Sequence, residues 1–155
     1  MTAEDFVVRK AREEDLPQLI HLLAEDTVGS HGDTIDPNSF EDYLRAFHVI
    51  DQAPQEQLFV AERNGEIVAT YQMTFLRTLR GRGAMDAQVE AVHTRADCRG
   101  QGIGRALMDH AQQEARRRDC RLLQLTSNAA RTDAHRFYER EGFTRTHIGF
   151  KMKLK

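Results

Sequence analysis

"VEAVHTRADCRGQGIGRALMDHAQQEARRRDCRLLQLTS", Val89 to Ser127, is the stretch on which the fold turns. It begins as a strand, crosses a polar loop into Gly100, Gly102 and Gly104, enters an amphipathic helix from Ile103 to about Arg118, and ends in a second strand, Arg121 to Ser127. Strand, loop, helix and strand in that order make, most simply, a right-handed crossover between parallel strands. The glycines fall where the helix begins. Without side chains they let backbone N–H groups come close to an anion, and the positive end of the helix dipole adds to the attraction. Arg99 and Arg105 bracket the loop with charge. A pyrophosphate is the natural guest.

Two nucleotide-binding loops are excluded by spacing. The dinucleotide fingerprint needs its first glycine directly after the strand and an acidic residue closing the next strand. Here "TRADC" intervenes, the spacing is G-x-G-x-G, and the next strand ends in Thr126, Ser127 and Asn128. The P-loop needs Lys-Ser or Lys-Thr after its last glycine, and Arg105-Ala106 supplies neither the ammonium nor the magnesium-binding hydroxyl.

Working outward, "FVVRKA" (Phe6–Ala11) reads as a first strand and "REEDLPQLIHLLAED" (Arg12–Asp26) as a helix with helically spaced leucines. A polar, mobile-looking loop, Thr27–Asp36, leads to Pro37 and a second helix in "NSFEDYLRAFHVI" (Asn38–Ile50). From Gln57 the hydrophobic period changes to two. "QLFVAER", Asn64-Gly65 and "EIVATYQMTFL" form a hairpin signal, because Asn-Gly readily takes the positive φ of a tight turn. "LRGRG" (Leu79–Gly83) reads as a turn and "AMDAQVEAVHT" (Ala84–Thr94) as a strand. After the crossover come a helix, about Thr132 to Glu141, stopped by Gly142-Phe143, and two short strands, "FTRT" and "GFKMKLK". A single α/β (α+β) domain with a central mixed sheet and helices on both faces accommodates this order.

Composition narrows the function classes. At 155 residues the chain forms one domain, and no apolar run approaches the roughly 20 residues of a membrane helix. The N-terminus shows no basic region followed by an apolar run, so a cytoplasmic protein is expected. Cys98 and Cys120 have no metal-binding spacing, and the seven histidines form no metal-binding cluster, so no metal is expected. Nucleic-acid binding is not expected either: no basic strand is interleaved with aromatics. The net charge of -2 conceals a division, since residues 1–60 carry 13 acidic and 4 basic side chains and residues 61–155 carry 11 and 18. One half suits a cation and the other an anion.

"RGQGIG", Arg99 to Gly104, resembles the R/Q-x-x-G-x-G/A signature of the GNAT superfamily of N-acetyltransferases, and "AHRFYEREGF", Ala134 to Phe143, resembles its closing element. The resemblance runs from about Gln88 to the C-terminus. It implies a mostly antiparallel, twisted GNAT-like sheet, with parallel strands 4 and 5 splayed around the pantetheine arm of acetyl-CoA. The amides of Gly100, Gln101, Gly102, Ile103, Gly104 and Arg105, beside Arg99, would then meet the pyrophosphate. The backbone of Val92, His93 and Thr94 would bond the arm, and Asn128 and Arg131 would contact the cofactor. Tyr138 matches the family tyrosine that protonates the departing thiolate.

Direct attack of an amine on a thioester also needs a proton acceptor, because an alkyl amine has a pKa of about 10.4. Glu90, an acidic side chain in an otherwise apolar strand, is the first candidate. His93 is the weaker one, because strand alternation sends it to the opposite face. Glu25, Asp26, Asp33 and Asp36 in the acidic half are candidates to receive a cationic small-molecule or peptide amine. The competing expectation is a non-catalytic acyl-CoA-binding module on the same fold. The final strand "GFKMKLK" could pair with the edge of a partner in a homodimer.

Overall fold

The Asn64-Gly65 turn sits at the heart of the sheet. Asn64 (φ 53°) and Gly65 (φ 80°) supply the two positive φ angles of the tight turn and fold β2 (Glu56–Arg63) antiparallel onto β3 (Glu66–Arg77). The computed structural model describes residues 5–26, 28 and 31–155. Thr27, Gly29 and Ser30 of the predicted loop, and the N-terminal residues 1–4, lie outside the described residues.

Around the hairpin, β1 (Val7–Lys10) pairs antiparallel with β2, and β4 (Met85–Thr94) pairs antiparallel with β3. The crossover then lays β5 (Leu122–Leu125) parallel to β4, giving the order β1-β2-β3-β4-β5. Alternation along β3 aims Tyr71, Met73 and Phe75 at one face, where α4 (Ile103–Arg117) covers them with Leu107, Met108 and Ala111. The other face, with Val60 and Ile67, is covered by α1 (Leu16–Glu25) and α2 (Phe40–Gln52) through Leu19, Leu22 and Phe47. Each such leucine, methionine or phenylalanine, fully buried, contributes about 1.5–3 kcal/mol. The expected arrangement of helices on both faces is the one observed.

Leu79–Gly83 turns as expected, through one kinked helical turn, α3 (Arg80–Gly83), with Gly81 and Arg82 at positive φ. The C-terminal helix α5 (Thr132–Arg140) ends as its sequence suggests: Gly142 takes φ 100°, and the Phe143 N–H donates to the Tyr138 carbonyl at 3.0 Å. Beyond it the expectation fails. "FTRT" and "GFKMKLK" form no strand, so the sheet has five strands where the sequence suggested seven. Alternation supplies side chains for a strand but not the ladder of a neighbour, and residues 144–155 make no backbone hydrogen bond to any described residue.

One irregularity shapes everything downstream. Along β3 and β4, Gln72 faces Glu90 and Thr70 faces His93, so Tyr71 alone stands opposite both Ala91 and Val92. This is a β-bulge, with Ala91 at φ 51°. β4 pairs with β5 only from Asp86 to Val89 and runs on to Thr94 without it. The two parallel strands therefore part at the bulge, as the splayed arrangement requires.

Candidate active site

The glycine loop follows in the chain on the end of β4 that has no β5 neighbour. A 3-10 turn, Ala96–Cys98, ends the strand connection, and Gly100 (φ 76°) and Gly102 (φ 82°) carry the chain through left-handed conformations into α4. Those angles require glycine here. The first helical bond runs from the Ala106 N–H to the Gly102 carbonyl, and among the described residues none of the N–H groups from Gly100 to Arg105 has a partner. A Cβ on Gly100 or Gly102 would meet nothing within 4 Å, so both face open space. Gly104 differs, since a Cβ there would stand 3.2 Å from the Phe137 ring. That glycine lets α5 approach α4 closely.

The loop is held from behind by a residue that sequence reading missed. Arg63, at the end of β2, donates to Gln101 Oε1 at 2.8 Å and to Cys98 Sγ at 3.1 Å. The side chain of Gln101 is thus an internal strut, and only its backbone N–H is free for an anion. Arg99 is exposed and rests on the Thr94 carbonyl at 3.4 Å. Nothing local marks Arg63, because its partners lie 35 and 38 residues away.

Beyond the bulge the backbone of Val92, His93 and Thr94 has no β5 neighbour, so its outward groups, apart from the Thr94 carbonyl on which Arg99 rests, are open to an extended ligand arm. The bulge also overturns one expectation. By adding a residue to β4 it restores His93 to the face of Glu90, which both share with Thr70 and Gln72. Glu90 is exposed there and accepts a hydrogen bond from the Gln88 amide. His93 is mostly buried, with Nε2 3.6 Å from Asp26 Oδ2. Burial holds its imidazole below the ordinary value, overcoming the pull of Asp26. It is therefore neutral and able to accept a proton at neutral pH.

Asp26, just past α1, belongs to the same cluster. Arg131, at the start of α5, donates to it at 2.6 and 2.8 Å and to the Val28 carbonyl at 2.9 Å. Burial opposes the Asp26 charge, but the Arg131 bond, the Val28 N–H and the nearby positive charge hold its carboxyl below the usual range. Arg131, expected to contact the cofactor, is engaged with the acidic half across 105 residues of sequence. Asn128 also has a local task. Its Oδ1 accepts from the Ala130 N–H at 2.9 Å and its carbonyl from the Arg131 N–H, which leaves Nδ2 for a ligand.

Tyr138 packs between Phe137 and Phe143 on the inner face of α5. No hydrogen bond holds its hydroxyl, and among the described residues no sealed side-chain polar atom lacks a partner, so the hydroxyl reaches open space. Burial raises its pKa above the ordinary value, against the charge of Arg131. The phenol keeps its proton at neutral pH.

The other acidic candidates are mostly committed. Asp33 accepts from the Tyr43 hydroxyl at 2.9 Å, and Asp36 from the Asn38 N–H at 3.0 Å. Asp33 and Glu25 nevertheless line an open cleft of about 410 Å³ with His21 and Thr34. Asp33 also acts electrostatically on His93, favouring its protonated form. Among the described residues no helix is long and apolar enough to cross a membrane, and no three His, Cys, Asp or Glu side chains gather as a metal site.

Comparison with known proteins agrees with this geometry. The family model described as Acetyltransferase (GNAT) family matches residues 16–143. The chain is 30% identical, over 96% of its length and the whole of the relative, to an aminoalkylphosphonate N-acetyltransferase of Salmonella typhimurium. It is 32% identical, over 67% of its length and 72% of the relative, to an uncharacterized N-acetyltransferase of Bacillus subtilis. A solved structure from Bacillus halodurans, described as a transcriptional regulator, superposes with a TM-score of 0.92 at 40% identity, covering 96% of this chain and 99% of that one.

Proposed function

This chain belongs to the GNAT acetyltransferase family and is an N-acetyltransferase, and on that premise we propose that it acetylates the primary amine of a small molecule by direct attack on acetyl-CoA. The observation that carries this reading is the row of unpartnered N–H groups at Gly100–Arg105, a few residues past the end of β4 that runs on without β5. The loop amides take the pyrophosphate, and the open backbone of Val92–Thr94 takes the pantetheine arm as an added strand.

The chemistry divides among three groups. Tyr138, protonated and unbonded, gives its proton to the thiolate, whose conjugate acid has a pKa of about 8.5. A backbone N–H near the bulge meets the oxyanion. Glu90, and His93 brought to the same face by the bulge, receive the proton of the incoming ammonium, directly or through water. The amine end of the acceptor enters over Glu25 and Asp33, and the name of the Salmonella relative makes aminoalkylphosphonates the first class to try.

The Bacillus halodurans description keeps a second reading in view, a regulatory acyl-CoA-binding module without turnover. Release of free thiol from acetyl-CoA, followed across a panel of aminoalkylphosphonates, polyamines and aminoglycosides, separates the two. Turnover with at least one amine, abolished by Tyr138→Phe, is the expected result. Binding of acetyl-CoA with no thiol released by any amine would establish the module instead.

A further inference from the structure

We propose that Asp26 is a positioning residue: it holds the His93 ring with its proton on Nε2 and so makes Nδ1 the atom that takes the acceptor's proton. This assignment rests on the acetyl transfer proposed above and divides the roles of Glu90 and His93 within it. Three elements bring the parts together, since Asp26 follows α1, His93 lies past the bulge in β4, and Arg131 opens α5.

The Asp26 carboxylate has one acceptor site to spare. Its Oδ1 accepts from Arg131 Nη2 at 2.8 Å and from the Val28 N–H at 3.1 Å, and its Oδ2 accepts from Arg131 Nη2 at 2.6 Å. Of a carboxylate's roughly four sites the last therefore lies on Oδ2, the oxygen 3.6 Å from His93 Nε2. With its carboxyl held below the usual range, Asp26 is ionised at neutral pH and can only accept. An imidazole nitrogen facing it is favoured with a proton on it and repelled with a lone pair, so the neutral ring carries its proton on Nε2. Among the described residues no hydrogen bond takes either ring nitrogen and no sealed side-chain polar atom lacks a partner, so Nδ1 reaches open space.

The surrounding charges keep the ring unprotonated yet receptive. Burial disfavours the imidazolium most, Asp26 favours it, Arg131 opposes it, Asp33 favours it and Arg99 opposes it. Arg131 thus both holds Asp26 and checks its pull on His93. Glu90 lies on the same face but is exposed and accepts from the Gln88 amide. An imidazole, with an ordinary pKa of about 6.5, also lies nearer the working pH than a glutamate at about 4.3. In the step itself an ammonium N–H bond breaks, Nδ1–H forms, and the electron pair left on nitrogen attacks the thioester carbon. The second proton that nitrogen loses replaces the one Tyr138 gives to sulfur, and His93 returns its own to solvent.

Heteronuclear NMR of the full chain with isotope-labelled histidine, the His93 signals assigned by their loss in His93→Gln, reads the tautomer without any turnover. The expected ring is protonated at Nε2 and bare at Nδ1; the opposite tautomer would overturn the proposal. Aminomethylphosphonate at saturating acetyl-CoA supplies the kinetic arm. His93→Gln should lower kcat/KM for the amine about 10²-fold or more and abolish the acid limb of its pH profile, with acetyl-CoA affinity unchanged. Asp26→Asn should move that limb to lower pH and Arg131→Met to higher pH, opposite shifts that a merely structural role would not produce. An acid limb that survives His93→Gln and disappears in Glu90→Gln would overturn the assignment while leaving acetyl transfer intact. No thiol release with aminomethylphosphonate or any other amine of the panel would remove the acetyl transfer itself, even with the tautomer as expected.

Discussion

The glycine loop and the acidic loop after α1 dispose of their polar groups in opposite ways. From Gly100 to Arg105 the N–H groups have no partner within the protein, while Asp26, Asp33 and Asp36 turn their carboxylates onto Arg131, Tyr43 and Asn38. One side is a backbone surface held ready for an anion. The other is a set of side chains that largely hold each other in place. On the proposed function, recognition of the donor rests on main-chain geometry, and recognition of the acceptor on Glu25, Glu90 and His93, with Asp33 shared with Tyr43.

The largest effect should come where the two sides meet. Tyr138→Phe should lower kcat by about 10²- to 10⁴-fold, the range for loss of a general acid. Acetyl-CoA affinity by calorimetry should hardly change, and a loss confined to affinity would make the tyrosine a packing residue. On the donor side, Gly102→Val forces a side chain into φ 82° and projects it into the space before the loop. It should raise the KM for acetyl-CoA tenfold or more and leave the acceptor KM within twofold, at a stability cost of about 1–2 kcal/mol.

On the acceptor side Asp26→Asn removes one partner of a mostly buried pair, and a lower melting temperature equivalent to about 2 kcal/mol is expected. The sign with pH follows from the lowered native pKa. Asp26 contributes stability in full above its unfolded value of about 3.9, and that contribution is lost as pH falls through the lower native value. Acid unfolding of the variant should therefore be less steep below about pH 4. His93, also lowered, gives the same sign at a higher window: stability complete above about 6.5 and declining below it. The smallest effect belongs to Glu25→Gln. Its acceptor KM should rise about two- to fivefold, the scale of an exposed ion pair, with the acetyl-CoA KM unchanged. An unchanged acceptor KM would remove Glu25 from the amine's path.

The same contrast explains what could be read in the sequence. The loop was legible because the positive φ at Gly100 and Gly102 favours glycine, while Gly104 serves a close approach of Phe137 instead. The Asn64-Gly65 hairpin was legible for the same reason. The bulge at Ala91 was not, because alanine carries no signal for φ 51°, and missing it sent His93 to the wrong face. Arg63 on Gln101, and Arg131 on Asp26, are side-chain pairs between distant segments that no local pattern marks. The C-terminal strands were misjudged for a third reason. Alternation at Phe150, Met152 and Leu154 is a property of the segment, whereas a strand is a property of a pair.

The central claim is that the glycine loop earns its affinity from a pyrophosphate. Acetyl-CoA and S-acetylpantetheine share the thioester and the arm, and only the first carries the diphosphate. Comparing kcat/KM for the two donors, in the wild type and in Gly102→Val, tests the claim directly. The expected result is a preference for acetyl-CoA of at least about a hundredfold, equivalent to about 2.7 kcal/mol, that narrows sharply in the variant. Equal use of both donors by the wild type, or a preference that Gly102→Val leaves intact, would contradict it.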